Sequence, residues 1–159
     1  MLKQMLFCTV LIAPAFAGSV GTFSAEYGTI EEAKAMLDRA IAEVKANKPA
    51  AIAKFNHNDR QFRDRDLFVF CFGAEDAKLT AHESMVDWDV RKLRDSAGRS
   101  IGEQMYQTAK EGQITEVAFT SPLPGSTEHV AKRLYVTRIG NQVCGVSAYL
   151  LSSRGEPTQ

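Results

Sequence analysis

The sequence predicts a single α+β domain in which helices pack against an antiparallel-rich sheet, and three observations predict it. Leu67-Phe68-Val69-Phe70-Cys71-Phe72 is an unbroken apolar run closed by Gly73, too short for an ordinary helix. Such a run reads as a central strand buried on both faces, with Leu67, Val69 and Cys71 on one face and Phe68, Phe70 and Phe72 on the other. Upstream lies a long stretch with apolar residues at three- and four-residue steps, the pattern of an amphipathic helix. Downstream, three strand-like segments follow one another with turn residues between them.

The chain has 159 residues, with Lys+Arg 19 against Asp+Glu 19 and a pI near 6.8. That length suits one domain with a substantial core. A balanced charge gives no reason to expect nucleic acid or an anionic membrane as partner. Residues 1–17 read as a secretory signal peptide: Lys3, then an apolar stretch from Met5 to Phe16, then Ala15-Phe16-Ala17 as the cleavage site. The stretch is too short for a spanning helix of ~20 residues, so the mature chain is expected free in the periplasm or outside the cell. Signal removal leaves Cys71 and Cys144. An oxidising compartment favours pairing them; otherwise they are two buried thiols on neighbouring strands.

Residues 18–28 are a small, polar lead-in, and 29–150 form the domain. Thr29-Ile30-Glu31-Glu32 has the spacing of a capping box and opens the long helix. Asn47-Lys48-Pro49 interrupts that helix, and Pro49 suits the first turn of a short continuation through Phe55. The aromatic run follows, then a polar turn and a short returning strand, Leu79 to His82. Glu83 to Arg94 lacks clean periodicity and reads as a covering loop with one helical turn. Ser100-Ile101-Gly102-Glu103 is a second capping box for a helix through Lys110. Strands are expected over 115–120, 132–139 and 142–150, and 151–159 is a polar tail.

The pieces Phe62-x-Asp64-x-Asp66-Leu67-Phe68-Val69-Phe70, Ala81-His82, Asp95-x-x-Gly98-Arg99, Ala109-Lys110-Glu111-Gly112, Lys132-x-x-Tyr135-Val136 and Gly145-x-x-x-Tyr149 occur in this order. Together they resemble a single Cache domain of the type 2 class, from about Thr29 to Tyr149. The resemblance implies a long N-terminal helix packed on a PAS-like five-stranded antiparallel sheet. It also implies extracytoplasmic binding of a small molecule, often an organic acid, for sensory purposes. The chain departs from the pattern where His82 is followed by Glu83 rather than proline, at the mouth of the expected pocket. The sequence carries no output domain, so the expectation is a binding module without one. The alternative is a periplasmic structural or interaction protein docking on a membrane sensor, with no ligand of its own.

Catalysis finds no local frame: there is no G-x-S-x-G and no phosphate-cradling glycine pattern. His57, His82 and His129 are too widely spaced to suggest a metal, and no cofactor is expected. Arg63 and Arg65 interleave with Asp64 and Asp66, which reads as a solvated, locally neutralised strand entrance. An anionic ligand needs fixed donors in an otherwise apolar pocket. The candidates are His82, Arg91, Lys132, Arg133 and Tyr135, with Phe70, Trp88, Met105 and Phe119 as walls. Arg91 and Lys132 read equally as solvated charges, and Trp88 as core. Alternation puts Arg133 and Tyr135 on one face and Lys132 on the other, so they share one pocket only if a bulge intervenes.

Overall fold

A computed structural model describes residues 26–151. The expected signal peptide, most of the lead-in and the polar tail lie outside the described residues. Helix α1 spans Ile30–Asn56, and its capping box closes: Thr29 accepts from the Glu32 amide while the Glu32 side chain accepts from the Thr29 amide. The expected interruption is a kink at Asn47, whose φ of −158° and ψ of 93° leave the helical region. The Asn47 side chain accepts from the Ala50 amide, recapping the continuation that carries Pro49 in its first turn.

Among the described residues seven strands follow: β1 (Arg63–Asp64), β2 (Leu67–Phe68), β3 (Phe70–Gly73), β4 (Leu79–Ala81), β5 (Thr115–Pro122), β6 (His129–Ile139) and β7 (Gln142–Tyr149). Between β4 and β5 lie a 3₁₀ turn at Val90–Lys92 and helix α2 at Ile101–Thr108. The main sheet is five-stranded in the order β4-β3-β7-β6-β5, antiparallel throughout. The sheet and the long helix match the expected class.

Three local expectations need correction. The aromatic run is two strands: β2 pairs with β1 in a small hairpin, and only β3 joins the main sheet. Nor is it central. That place belongs to β7, whose residues are buried at every position except Ser147. The second capping box does not close: α2 forms, but the Ser100 side chain makes no capping hydrogen bond. The loop before α2 is held instead by Asp95, which accepts from the amides of Ala97 and Arg99, from the Arg99 guanidinium and from the Thr120 amide on β5. Burial pushes the Asp95 carboxyl up, but these donors overcome it and hold it down to about 2.

Side-chain alternation survives the break in the aromatic run and divides the core in two. Leu67, Val69 and Cys71 pack with Ala33, Met36, Leu37 and Ala40 of α1. Phe70 and Phe72 face the other way, with Phe68 beside them, against Val90 and Met105 of the covering segment. Cys71 and Cys144 oppose each other across β3 and β7 and are joined by a disulfide, Cα–Cα 4.1 Å, fully buried on the helix side.

Candidate functional site

The face of the sheet away from α1 carries a cavity of about 240 Å³. Its floor is sheet: Phe70 from β3, Leu79 from β4, Phe119 and Ser121 from β5, Lys132 and Leu134 from β6, Ser147 from β7. Its roof is the covering segment and α2, through Met85, Val90, Leu93, Ile101 and Met105. Phe68 and His82 close one side.

Two glycines let this arrangement form. Gly102 sets α2 against the 3₁₀ turn, where an added Cβ would stand 1.6 Å from the Val90 carbonyl oxygen. Gly145 lies under Phe70 in the sheet, where a Cβ would meet the Phe70 ring at 2.8 Å and the Tyr135 carbonyl oxygen at 2.8 Å.

The cavity's cation is Lys132, only 8% exposed. Burial lowers the pKa of its ammonium, and the charge of Asp66 partly offsets that. The ammonium stands 3.9 Å from the centre of the Tyr149 ring, its cross-strand neighbour, and among the described residues it makes no salt bridge. His82 is half-buried. Its Nδ1 accepts from the Ser84 amide, which places the proton of the neutral ring on Nε2. Its amide donates to Asn56 on α1, and its ring meets Phe68 edge-on at 5.4 Å. Burial lowers its pKa, against a smaller upward pull from Glu83.

Of the residues proposed from sequence, the cavity brings together His82, Lys132, Phe70, Met105 and Phe119. It does not bring in the other four. Tyr135 and Arg133 face α1: Tyr135 is packed in the helix-side core beneath Lys34, and Arg133 pairs with Glu116 at 2.9 Å. No bulge interrupts β6 between 129 and 139, so alternation separates both from Lys132. Arg91 is turned outward, forked on Asp89 and stacked 5.6 Å from the Tyr106 ring. Trp88 is 37% exposed at the surface of the covering segment.

Sequence reasoning missed Ser121 and Ser147, the small polar groups beside Lys132. The signal was there in part. Phe119 and Tyr149 sit directly opposite Lys132 and share its face, and Ser121 and Ser147 follow by alternation. The register that says so is not written in the sequence.

No protein-family model matches the chain, and no curated protein matches it. Solved structures do. A methyl-accepting chemotaxis protein from Vibrio parahaemolyticus superimposes with a TM-score of 0.59 at 18% identity, over 76% of this chain and 87% of that one. The periplasmic sensor domain of a chemotaxis protein gives 0.54 at 20% identity, over 76% and 89%. A Cache chemosensory domain, described for its carboxylic acid recognition, gives 0.51 at 15% identity, over 76% and 87%. The chain shares the fold of these domains, a Cache fold. In this Cache fold the cavity lies between the sheet and the covering segment, while α1 closes the opposite face. No helix among the described residues is long and apolar enough to cross a membrane.

Proposed function

We propose that the chain is an extracytoplasmic sensory module that binds a small monocarboxylate with a short apolar tail. One observation carries this reading: a buried cation, Lys132, lines an apolar cavity and makes no salt bridge among the described residues. A charge removed from water is costly unless it gains a counter-charge or hydrogen bonds. A carboxylate at Lys132 supplies both, with Ser121 and Ser147 as neutral hydrogen-bonding groups on the same floor. The walls, Phe70, Met105, Phe119 and Leu134 among them, suit a hydrocarbon tail, and the small volume keeps it short. One buried lysine favours one carboxylate over two. The disulfide fits an oxidising compartment, which supports placing the domain outside the cytoplasm. Carboxylic acid recognition in one of the similar domains agrees in class with this chemistry.

A thermal-denaturation series with acetate, propionate, butyrate, pyruvate, succinate and benzoate tests the reading. A member present at a hundredfold excess over its Kd stabilises by about 2.7 kcal/mol, a plain rise in Tm. The monocarboxylates should act, and succinate should not. No shift with any member would turn the assignment toward a docking domain whose cavity is structural.

A further inference from the structure

In the cavity wall a buried cation has an aromatic ring where a carboxylate is expected. A charge taken out of water ordinarily pairs with an opposite one. Lys132, 8% exposed, donates no hydrogen bond and makes no salt bridge among the described residues. Asp66 is not the missing partner. It lies half-buried in the turn between β1 and β2, not in the solvated strand entrance expected, and its Oδ1 accepts the Gly28 amide at 2.7 Å. Asp64 keeps the expected exposed place, paired with Arg65.

What the ammonium meets is the face of Tyr149, 3.9 Å from the ring centre. Strand register puts the two together: Lys132 on β6 lies directly opposite Tyr149 on β7 and Phe119 on β5, so all three share one face of the sheet. Tyr149 is 5% exposed yet belongs to neither core cluster. Its hydroxyl donates to the Pro122 carbonyl at 2.5 Å, at the end of β5. Its ring meets that of Tyr27 edge-to-face at 5.6 Å, so the ring is held from two sides.

We propose that Tyr149 is the positioning residue for Lys132: its ring face holds the ammonium charged and seated on the cavity floor while no anion is bound. The inference rests on the reading of Lys132 as the ligand's anchor. The negative face of an aromatic ring attracts an ammonium, and more strongly once both are out of water. It offers neither an oxygen to occupy the N–H donors nor a counter-charge. A carboxylate side chain in that place would satisfy the ammonium and compete with a ligand carboxylate. The ring keeps the cation in place and leaves its donors for the ligand. The hydroxyl ties the ring to the end of β5, the strand that also brings Ser121 to the cavity.

Side-chain NMR of Lys132 in the full chain, with no ligand, tests this apart from any carboxylate screen. In the wild-type protein the Lys132 ε-methylene protons should lie upfield of those of exposed lysines, because they stand over the ring. Tyr149→Leu should abolish that shift and move the Lys132 titration down by about one pH unit, since an aliphatic side chain does not attract the cation. Tyr149→Phe should keep both, having the face without the hydroxyl. The titratable groups about the ammonium are Asp66 and the Tyr149 phenol, with His82 lining the same cavity. Asp66 and His82 are present in every variant, and Tyr149→Phe removes the phenol. A Tyr149 that served packing alone would leave the titration in place in both variants. That result, or a wild-type methylene without an upfield shift, overturns the proposal. The wild-type measurement needs no variant, so it decides the outcome if Tyr149→Leu does not fold. A last arm uses propionate: Tyr149→Leu should weaken its binding about tenfold, with Tyr149→Phe near wild type. If propionate fails to bind the wild-type protein while both NMR signatures are seen, the seat stands and the carboxylate reading falls.

Discussion

The two faces of the sheet use one set of strands for opposite ends. On the α1 face the buried side chains form one cluster: Leu67, Cys71, Cys144, Val146 and Ala148 pack with Ala33, Met36, Leu37 and Ala40, and the disulfide lies among them. On the other face the cover is a loop, a 3₁₀ turn and a two-turn helix, which meet the sheet only in part and leave a cavity with a lysine in its wall. A long regular helix offers a continuous apolar stripe and closes a flat surface well. An irregular cover offers no such stripe, and it leaves a space between itself and the sheet. The same rows of alternating side chains thus supply a closed back and a front that holds a cavity.

That comparison can be broken by experiments addressed to each face. The largest effect is expected at the back. Cys71→Ser combined with Cys144→Ser should destabilise the protein by roughly 2–5 kcal/mol in chemical denaturation, because the link constrains the unfolded chain across 73 residues. Carboxylate affinity in the folded variant should hardly change, since both sulfurs face α1; a large loss of affinity would mean that the faces are not independent. At the front, Lys132→Met should weaken binding of a monocarboxylate by about 1.5–3 kcal/mol in calorimetric titration, roughly tenfold to a hundredfold. Retained affinity would remove Lys132 as the anchor.

Between the faces lies Gly145, backed by the Tyr135 carbonyl and covered by the Phe70 ring. Gly145→Ala should push Phe70 toward the cavity, costing about 1–3 kcal/mol of stability and weakening the longer carboxylates more than acetate. An equal effect on all chain lengths would show that Phe70 does not border the tail.

The pH dependence sharpens the assignment of the cation. Burial sets the Lys132 pKa below its ordinary value, so in the free protein the ammonium is lost at a lower pH than for an exposed lysine. A bound carboxylate favours the ammonium and raises that pKa again. Affinity should therefore be level with respect to Lys132 below the free pKa and fall as pH rises through it, by up to about tenfold per unit. His82 acts at the other end: as pH drops through its own lowered pKa the ring becomes cationic beside the cavity, and anion binding should strengthen. Affinity that rises in alkali would contradict both assignments. The smallest effect is expected for Tyr135→Phe. Its ring is packed on the helix side, so carboxylate affinity should change by less than about 0.5 kcal/mol. A larger loss would move the site to the α1 face.

How far the sequence reached can be read from the same two faces. Local signals carried the back of the molecule. The Thr29–Glu32 box, the apolar steps from Ala33 to Val44 and the Asn47–Pro49 interruption all depend on neighbours within a turn or two. Strict alternation likewise assigned Leu67, Val69 and Cys71 to one face and the phenylalanines to the other, even though the run breaks at Val69. Alternation also gave the separation of Lys132 from Arg133 and Tyr135, though not which of them faces the cavity. Only the tertiary structure decided the rest. Ser147 and Lys132 approach through the pairing of β6 with β7, whose register is set by the whole stack of five strands. Ser100 keeps the spacing of a capping box, yet the loop it stands in is fixed by Asp95 reaching across to Thr120. Asp66 reads as a solvated charge in its own neighbourhood of Arg63 and Arg65. It becomes a half-buried partner of Gly28 only because the hairpin folds under the entrance to α1. Periodicity and capping are short-range and leave their mark in the order of residues; which charges are taken out of water is settled by distant segments closing over them.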